Sequence, residues 1–186
     1  INAACWHHYD QNALQDLMEE HRFLFPNFTR QKTVKPHYGL NQRKDESYTD
    51  PWGCTWETSD DGITGSVHRH PLKDWSGFDQ YKAPDPNTTD GTFPVDWQNI
   101  KATVKRQKDN GEIVYGGLPH GHTFLRLQDI RDYESLIFDM VDEDSRLAKL
   151  IDMVENFNHQ YVMNWLELEP DIMGYPDDLG MQVGPM

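Results

Sequence analysis

The chain has 186 residues, 37% of them hydrophobic, and a formal net charge of -14 from 31 acidic and 17 basic residues. This composition predicts a water-soluble protein with a modest core, and the negative charge opposes binding to nucleic acid or to an anionic membrane surface. No apolar run approaches the roughly 20 residues of a membrane helix, and no signal peptide is visible, so we expect a cytoplasmic protein. Two cysteines, Cys5 and Cys54, are too few for a disulfide framework.

The start of the chain predicts a short strand followed by a helix. Residues 1–6 have the character of a strand. Apolar side chains then recur at three- and four-residue spacing over residues 14–25, which predicts a helix with one face in the core. Asp10 or Asn12 would cap this helix, and Pro26 would end it.

Large and polar residues alternate near residues 52–68, on both sides of Asp61 and Gly62. An Asp-Gly pair suits the positive φ values of a turn, so this segment predicts an added β-hairpin. Residues 81–94 contain three prolines and predict a surface connection.

The second half of the chain has the most regular pattern. Asp96 is placed to cap a helix that ends at Asn110-Gly111. The elements that follow are a strand, a helix, a longer helix and a strand, at residues 112–116, 132–143, 144–168 and 171–175. This order predicts a β-α-β unit with parallel strands and a right-handed crossover.

In parallel α/β folds the loops at the carboxyl ends of the strands meet at one edge, where ligands bind. The first such loop carries Gly117 and Gly121, which permit close approach of a ligand, and His120 and His122, which titrate near neutral pH. The alternative is that the glycines serve a turn and the histidines are solvated. The two histidines would need a third ligand to hold a metal ion, and we identify none, so no metal site is predicted.

The second loop, "PDDLGMQ", carries Asp177 and Asp178 as candidate catalytic carboxylates, with Gln182 as a polar companion. Adjacent side chains alternate in direction, so only one aspartate is expected to point into the site. The alternative is that one of them caps a helix or forms a turn. His7 follows the predicted first strand and would join the same rim, although a short His-rich cluster also arises by chance.

Five segments of the chain follow one another in a recognisable order: "DPWGCTWE", "GITGSVHRHPLKDW", "YKAPDP", "GLPHGHTFLRLQDIRDYESLIFDM" and "PDIMGYPDDLGMQVGPM". Their order resembles the uroporphyrinogen decarboxylase superfamily, which includes the decarboxylase of haem synthesis and methyltransferases that act with corrinoid proteins. The resemblance implies an α/β fold that is the N-terminal part of a (β/α)8 TIM-type barrel. We therefore expect one partial domain over residues 1–186, about half a barrel, with the missing C-terminal half as its partner and no activity of its own.

The resemblance also implies site residues. Asp177 and Asp178 match the aspartate of the superfamily motif, and Gly117 and Gly121 match the loop glycines. No cofactor is expected within this fragment, and in a methyltransferase zinc would lie in the missing half.

Two reactions on a small-molecule substrate follow from the resemblance. One is decarboxylation of a tetrapyrrole-like acid, with Asp177 or Asp178 holding pyrrole N–H groups; the other is methyl transfer to a thiol through a corrinoid protein. The arginine-rich segment of the decarboxylases is matched only by Arg30-Gln31, which favours a non-haem member. The alternatives are a non-catalytic binding domain on the same fold and an unrelated barrel hydrolase that uses the two aspartates, although glycosidases place their carboxylates on separate strands.

Overall fold

The computed structural model describes residues 1–178, 180, 181, 184 and 185. The chain divides into two compact units, of which the first comprises Ile1–Tyr48 and Trp56–His68 and the second Thr49–Thr55 and Arg69–Met186. The described residues form a mixed α/β fold with helices and small sheets, which confirms the α/β class. They contain no closed barrel.

The first unit begins with helix α1 (Ala3–His8), so the prediction of a strand over residues 1–6 is wrong. Asn2 caps this helix, because its side-chain oxygen accepts a hydrogen bond of 2.9 Å from the Ala4 N–H. The helix also packs closely on Gly62, where an added Cβ would lie 2.7 Å from the Ala4 nitrogen. Local capping and this contact stabilise a helix where the apolar pattern alone suggested a strand.

Helix α2 (Gln11–Glu20) confirms the predicted helix and its cap at Asp10. The side chain of Asp10 accepts a 2.9 Å hydrogen bond from the Ala13 N–H. The helix ends at Glu20, before Pro26, so its last predicted turn is not helical.

The buried face of α2 differs from the predicted apolar stripe. Gln15 is only 1% exposed, whereas Leu17 is 45% exposed. The side-chain amide of Gln15 bonds both backbone groups of Gln31, at 2.7 and 3.1 Å, and Gln11 bonds both backbone groups of Val34 at 3.0 Å. Glutamine is buried here because its amide satisfies the polar backbone of an irregular segment.

Three short strands, β1 (Tyr48–Thr49), β2 (Thr55–Glu57) and β3 (Ser66–Arg69), form a sheet in the order β1-β2-β3. The adjacent β2 and β3 match the predicted strand pair. Gly62 in the segment between them has φ +80°, as the Asp-Gly signal predicted.

The second unit contains the predicted β-α-β unit and one helix that was not predicted. After a 3₁₀ helix (Trp75–Gln80), its elements are α3 (Trp97–Asp109), β4 (Tyr115–Gly117), α4 (Phe124–Arg131), α5 (Tyr133–Val141), α6 (Ser145–Leu166), β5 (Ile172–Gly174), β6 (Gly180–Met181) and β7 (Gly184–Pro185). Strands β4 and β5 pair in parallel, which confirms that prediction, and β6 pairs antiparallel with β7.

The core of the second unit is built on α6. The sequence predicts an apolar stripe on this helix, and the structure confirms it in part. The predicted members that are buried are Leu147, Leu150, Val154, Phe157 and Tyr161. Trp165 is half-buried, and Ile151 is 37% exposed, so these two lie outside the buried face. Residues 81–94 contribute to this core as well as to the surface, since Gly91 lies against Phe157 and is buried. None of the helices among the described residues is both long and apolar enough to cross a membrane.

Candidate functional site

The loops that follow β4 and β5 lie side by side, as their parallel pairing predicted. The Leu118 N–H donates a 3.0 Å hydrogen bond to the carbonyl of Gly174, and the Gly121 N–H donates one of 3.1 Å to the carbonyl of Pro176. These backbone bonds fix the first loop against the second at the carboxyl ends of the strands.

The loop glycines are explained by this close packing. Gly117 has φ +140°, and an added Cβ would lie 2.1 Å from the carbonyl oxygen of Gly174. Gly121 has φ +76°, in the left-handed region that disfavours other residues. The glycines therefore serve the backbone geometry of the loop, whether or not a ligand also approaches them.

Asp177 holds the start of helix α4. One carboxylate oxygen accepts hydrogen bonds from the N–H groups of Thr123 (3.1 Å) and Phe124 (2.8 Å), and the other accepts one of 2.9 Å from the Asp178 N–H. These groups lie at the positive end of the helix dipole, where a carboxylate is stabilising. Asp177 therefore positions the first loop directly.

Asp178 has a different environment from its neighbour. Its side chain is 63% exposed, and its carboxylate lies 3.3 Å from Nε2 of His120, which is also exposed. The two aspartates thus differ in direction, with Asp177 bound to backbone and Asp178 at the surface of the loop.

His122 belongs to a hydrogen-bonded chain that leads to helix α6. Its Nδ1 lies 2.7 Å from the hydroxyl of Thr123, and this hydroxyl donates a 3.1 Å bond to a carboxylate oxygen of Glu155. The amide of Asn158 donates to the same hydroxyl and to the carbonyl of His122, at 3.2 and 3.1 Å. Because the single hydroxyl hydrogen is given to Glu155, Nδ1 of His122 must be the donor, and Nε2 of the neutral ring is an acceptor.

A cavity of about 270 Å³, which we call the α6 cavity, lies beside this chain of hydrogen bonds. Its lining residues are Leu118, His122, Thr123, Glu155, Asn158, His159, Val162 and Tyr175. Of these, only His122 was predicted as a site residue. The sequence feature that could have identified more of them is the spacing of Glu155, Asn158 and His159, which places three polar side chains on one face of α6.

A buried ionic group, which we call the Arg126 cluster, consists of Arg126, Asp50 and Asp129. The guanidinium lies 2.8 Å from Asp50 and 3.9 Å from Asp129, and the three side chains are 5%, 0% and 15% exposed. Burial raises the pKa of Asp129 to about 7, although the charge of Arg126 acts in the opposite direction. The thiol of Cys54 lies 3.3 Å from the Asp129 carbonyl, and burial raises its pKa as well, so Cys54 is not suited to act as a thiolate nucleophile.

One predicted site residue belongs to the other unit. His7 is exposed on helix α1 of the first unit. The prediction that it follows a strand is therefore wrong. Gln182 lies outside the described residues.

Among the residues that the structure describes, no three His, Cys, Asp or Glu side chains are grouped as a metal ion would require. No protein-family model matches the chain, and neither a curated protein nor a solved structure matches it at a significant level.

Proposed function

We propose that this chain is part of an enzyme of the uroporphyrinogen decarboxylase superfamily, acting on a small molecule at the carboxyl ends of β4 and β5. The observation that carries the proposal is the contact of Asp177, in the superfamily-like motif of the second loop, with the start of α4 in the first loop. A motif aspartate that joins two neighbouring loops is suited to shape a binding site there. In this proposal, residues outside the chain would supply the other strands of a (β/α)8 barrel.

Of the two branches of the superfamily, decarboxylases of haem synthesis and corrinoid-linked methyltransferases, the non-haem branch is the better supported. Arg30, the residue nearest to the arginine segment of the decarboxylases, is bound by Asp16 and Glu19 of its own unit. Two carboxylates already contact this guanidinium, which disfavours a role in gripping a substrate with several carboxylates. Methyl transfer to a thiol, with a corrinoid protein as partner and zinc held outside this chain, fits this arrangement better.

A non-catalytic binding domain is the second candidate, and the hydrogen bonding of Asp177 favours it. Both oxygens of this carboxylate accept from backbone N–H groups, so the residue has a structural role without chemistry. The same observation weighs against a hydrolase in which Asp177 and Asp178 act as an acid and base pair, because Asp177 is committed to the helix.

To test the proposal, the 186-residue chain is titrated with two probes in turn, and amide chemical shifts are measured by NMR during each titration. Methylcobalamin serves as the corrinoid probe, and a porphyrin with several carboxylates serves as the probe for the decarboxylase branch. We expect methylcobalamin to shift the amides of residues 116–124 and 175–178, and Asp178→Asn to weaken this binding. Selective binding of the porphyrin at the same loops would favour decarboxylation instead.

Failure of both probes to affect these loops would contradict the superfamily proposal. Corrinoid binding that is unchanged in both Asp177→Asn and Asp178→Asn would favour the non-catalytic domain, since the motif aspartates would then have no part in the site.

A further inference from the structure

We propose that the α6 cavity is a binding site for a small organic ammonium ion, a short alkyl chain that ends in a charged amine. The proposal rests on the lining of this cavity alone and holds whether or not the chain belongs to the superfamily proposed above. It assigns Glu155 and His122 as the residues that bind the ammonium group.

The hydrogen bonds in the cavity wall leave acceptors, and not donors, for a ligand. Both N–H groups of the Asn158 amide are used, on the His122 carbonyl and the Thr123 hydroxyl, and the hydroxyl hydrogen is used on Glu155. Among the described residues, neither the second carboxylate oxygen of Glu155 nor Nε2 of His122 has a hydrogen-bond partner. This wall therefore offers acceptors to a ligand, and an ammonium group supplies only donors.

The charge around the cavity is negative. Glu155 contributes a carboxylate to the cavity itself. Asp177 bonds the N–H of Thr123 in the same loop, and Asp178 follows it next to His120. The carboxylates around the loop outnumber its cations, so a ligand carboxylate would be repelled and a cation attracted. His159, which is exposed, also lines the cavity, and its ring nitrogens offer a further hydrogen-bonding group.

The apolar part of the lining and the volume of the cavity suit a short alkyl chain. Leu118, Val162 and the ring of Tyr175 offer apolar surface to a short alkyl chain, and a tyrosine face also attracts a cation. A cavity of about 270 Å³ is just below the range of roughly 300 to 1,000 Å³ typical of ligand pockets. The ligand is accordingly small, and we expect millimolar affinity because few atoms are buried.

Three probes of equal length but different charge test the proposal on the unmodified chain: n-butylammonium, 1-butanol and butyrate. Amide and imidazole chemical shifts are measured by NMR during each titration. We expect saturable shifts at His122, Asn158 and Tyr175 with butylammonium, weaker shifts with butanol and none with butyrate. Butyrate binding at these residues as tightly as butylammonium would overturn the proposal, and so would the absence of any response to butylammonium.

Glu155→Gln removes the charge of an exposed side chain on α6, so the fold should tolerate it. We expect roughly tenfold weaker butylammonium binding, since a charged hydrogen bond becomes a neutral one. Glu134→Gln is the matched control, because Glu134 is exposed on α5 and does not line the cavity. Equal weakening by both variants would show that only the overall charge matters and would contradict the site.

Thr123→Val tests the positioning of His122. The change removes the acceptor of Nδ1–H and leaves the Thr123 backbone N–H bond to Asp177 available. Imidazole ¹⁵N shifts should report the Nδ1–H form in the unmodified protein and a mixture of both neutral forms in the variant, with weaker butylammonium binding. An Nε2–H form in the unmodified chain would refute the role of His122 as acceptor.

Discussion

Two groups of charged residues in this protein have the same chemistry and opposite environments. In the first unit Arg30 pairs with Asp16 and Glu19 near the surface, with its side chain 37% exposed. In the second unit the Arg126 cluster places one arginine between Asp50 and Asp129 with almost no exposure. From this comparison we expect that burial, and not the identity of the residues, decides how much an ion pair matters to folding.

The physical reason is the cost of moving charge out of water. An exposed pair loses little hydration and gains little attraction. A buried pair has lost its hydration, so each charge depends on its partner. The pKa of Asp129 reflects this loss of hydration, because burial raises it to about 7 although a neighbouring guanidinium acts in the opposite direction.

The largest expected effect comes from breaking the buried pair. Arg126→Met leaves Asp50 without its guanidinium partner in the core, and we expect the free energy of unfolding to fall by about 3–5 kcal/mol. Urea unfolding followed by circular dichroism measures this loss. Arg30→Met is the matched control and should shift the midpoint far less; equal losses would contradict the comparison.

The second largest expected effect is a dependence of the unfolding free energy on pH, caused by Asp129. Burial raises the pKa of Asp129 from 3.8 to about 7, so between these pH values the folded protein binds a proton that the unfolded chain has released. The stability that Asp129 contributes is therefore present in full below pH 3.8 and is lost as the pH rises through about 7. The largest possible change in the unfolding free energy from this group is roughly 4 kcal/mol, because its pKa rises by about three and each pKa unit corresponds to 1.36 kcal/mol.

Asp129→Asn removes this titration and isolates its contribution. The difference in unfolding free energy between the two proteins should change steadily from pH 4 to pH 7, in favour of the variant at the higher pH. Urea unfolding at several pH values measures it. A difference that is constant over this range would mean that Asp129 is already ionised when the protein is folded at low pH.

The two adjacent aspartates repeat the comparison on a smaller scale. Asp177→Ala removes the carboxylate that bonds the N–H groups of Thr123 and Phe124, and we expect a loss of about 1 kcal/mol. Asp178→Ala affects an exposed side chain and should cost clearly less. Amide hydrogen exchange at the start of α4 should accelerate in the first variant only; faster exchange in both would show that the loop unfolds as one piece.

The smallest effect is the response of the two arginine groups to salt. At about 1 M ionic strength the screening length falls to about 3 Å, so the exposed Arg30 pairs should contribute almost nothing. Any destabilisation by Arg30→Met should therefore disappear in high salt, while most of that of Arg126→Met persists. Urea unfolding in low and high salt compares the two, and loss of the Arg126→Met penalty in salt would argue that water reaches the buried cluster.

Much of the second unit was predictable because its signals are local. Asp96 and Asp144 cap α3 and α6 through bonds to residues two or three positions away. The apolar stripe of α6 and the β-α-β order likewise need only nearby residues, and the convergence of the two loops follows from parallel strands.

Helix α4 was not predicted, because the residues that stabilise it are distant in the sequence. Thr123, the residue before the helix, makes no side-chain cap. The acceptor for the Phe124 N–H is instead Asp177, 53 residues further along the chain. Its inner face includes Arg126 and Arg131, and arginines in a sequence pattern indicate a surface. The candidate site was predicted only in part for the same reason, since His122 was identified but its link through Thr123 to Glu155 crosses 32 residues.

The sequence by itself determined the α/β class, the caps of α2 and α3, the parallel strand pair and the two loops that carry Asp177, Asp178 and His122. These features depend on steric and hydrogen-bonding preferences within a few neighbouring residues. Only the tertiary structure decided which charges are buried and which partners they meet. Arg126 and Asp50 are 76 residues apart, and a charge is stable in the core only where folding brings its counterion to it.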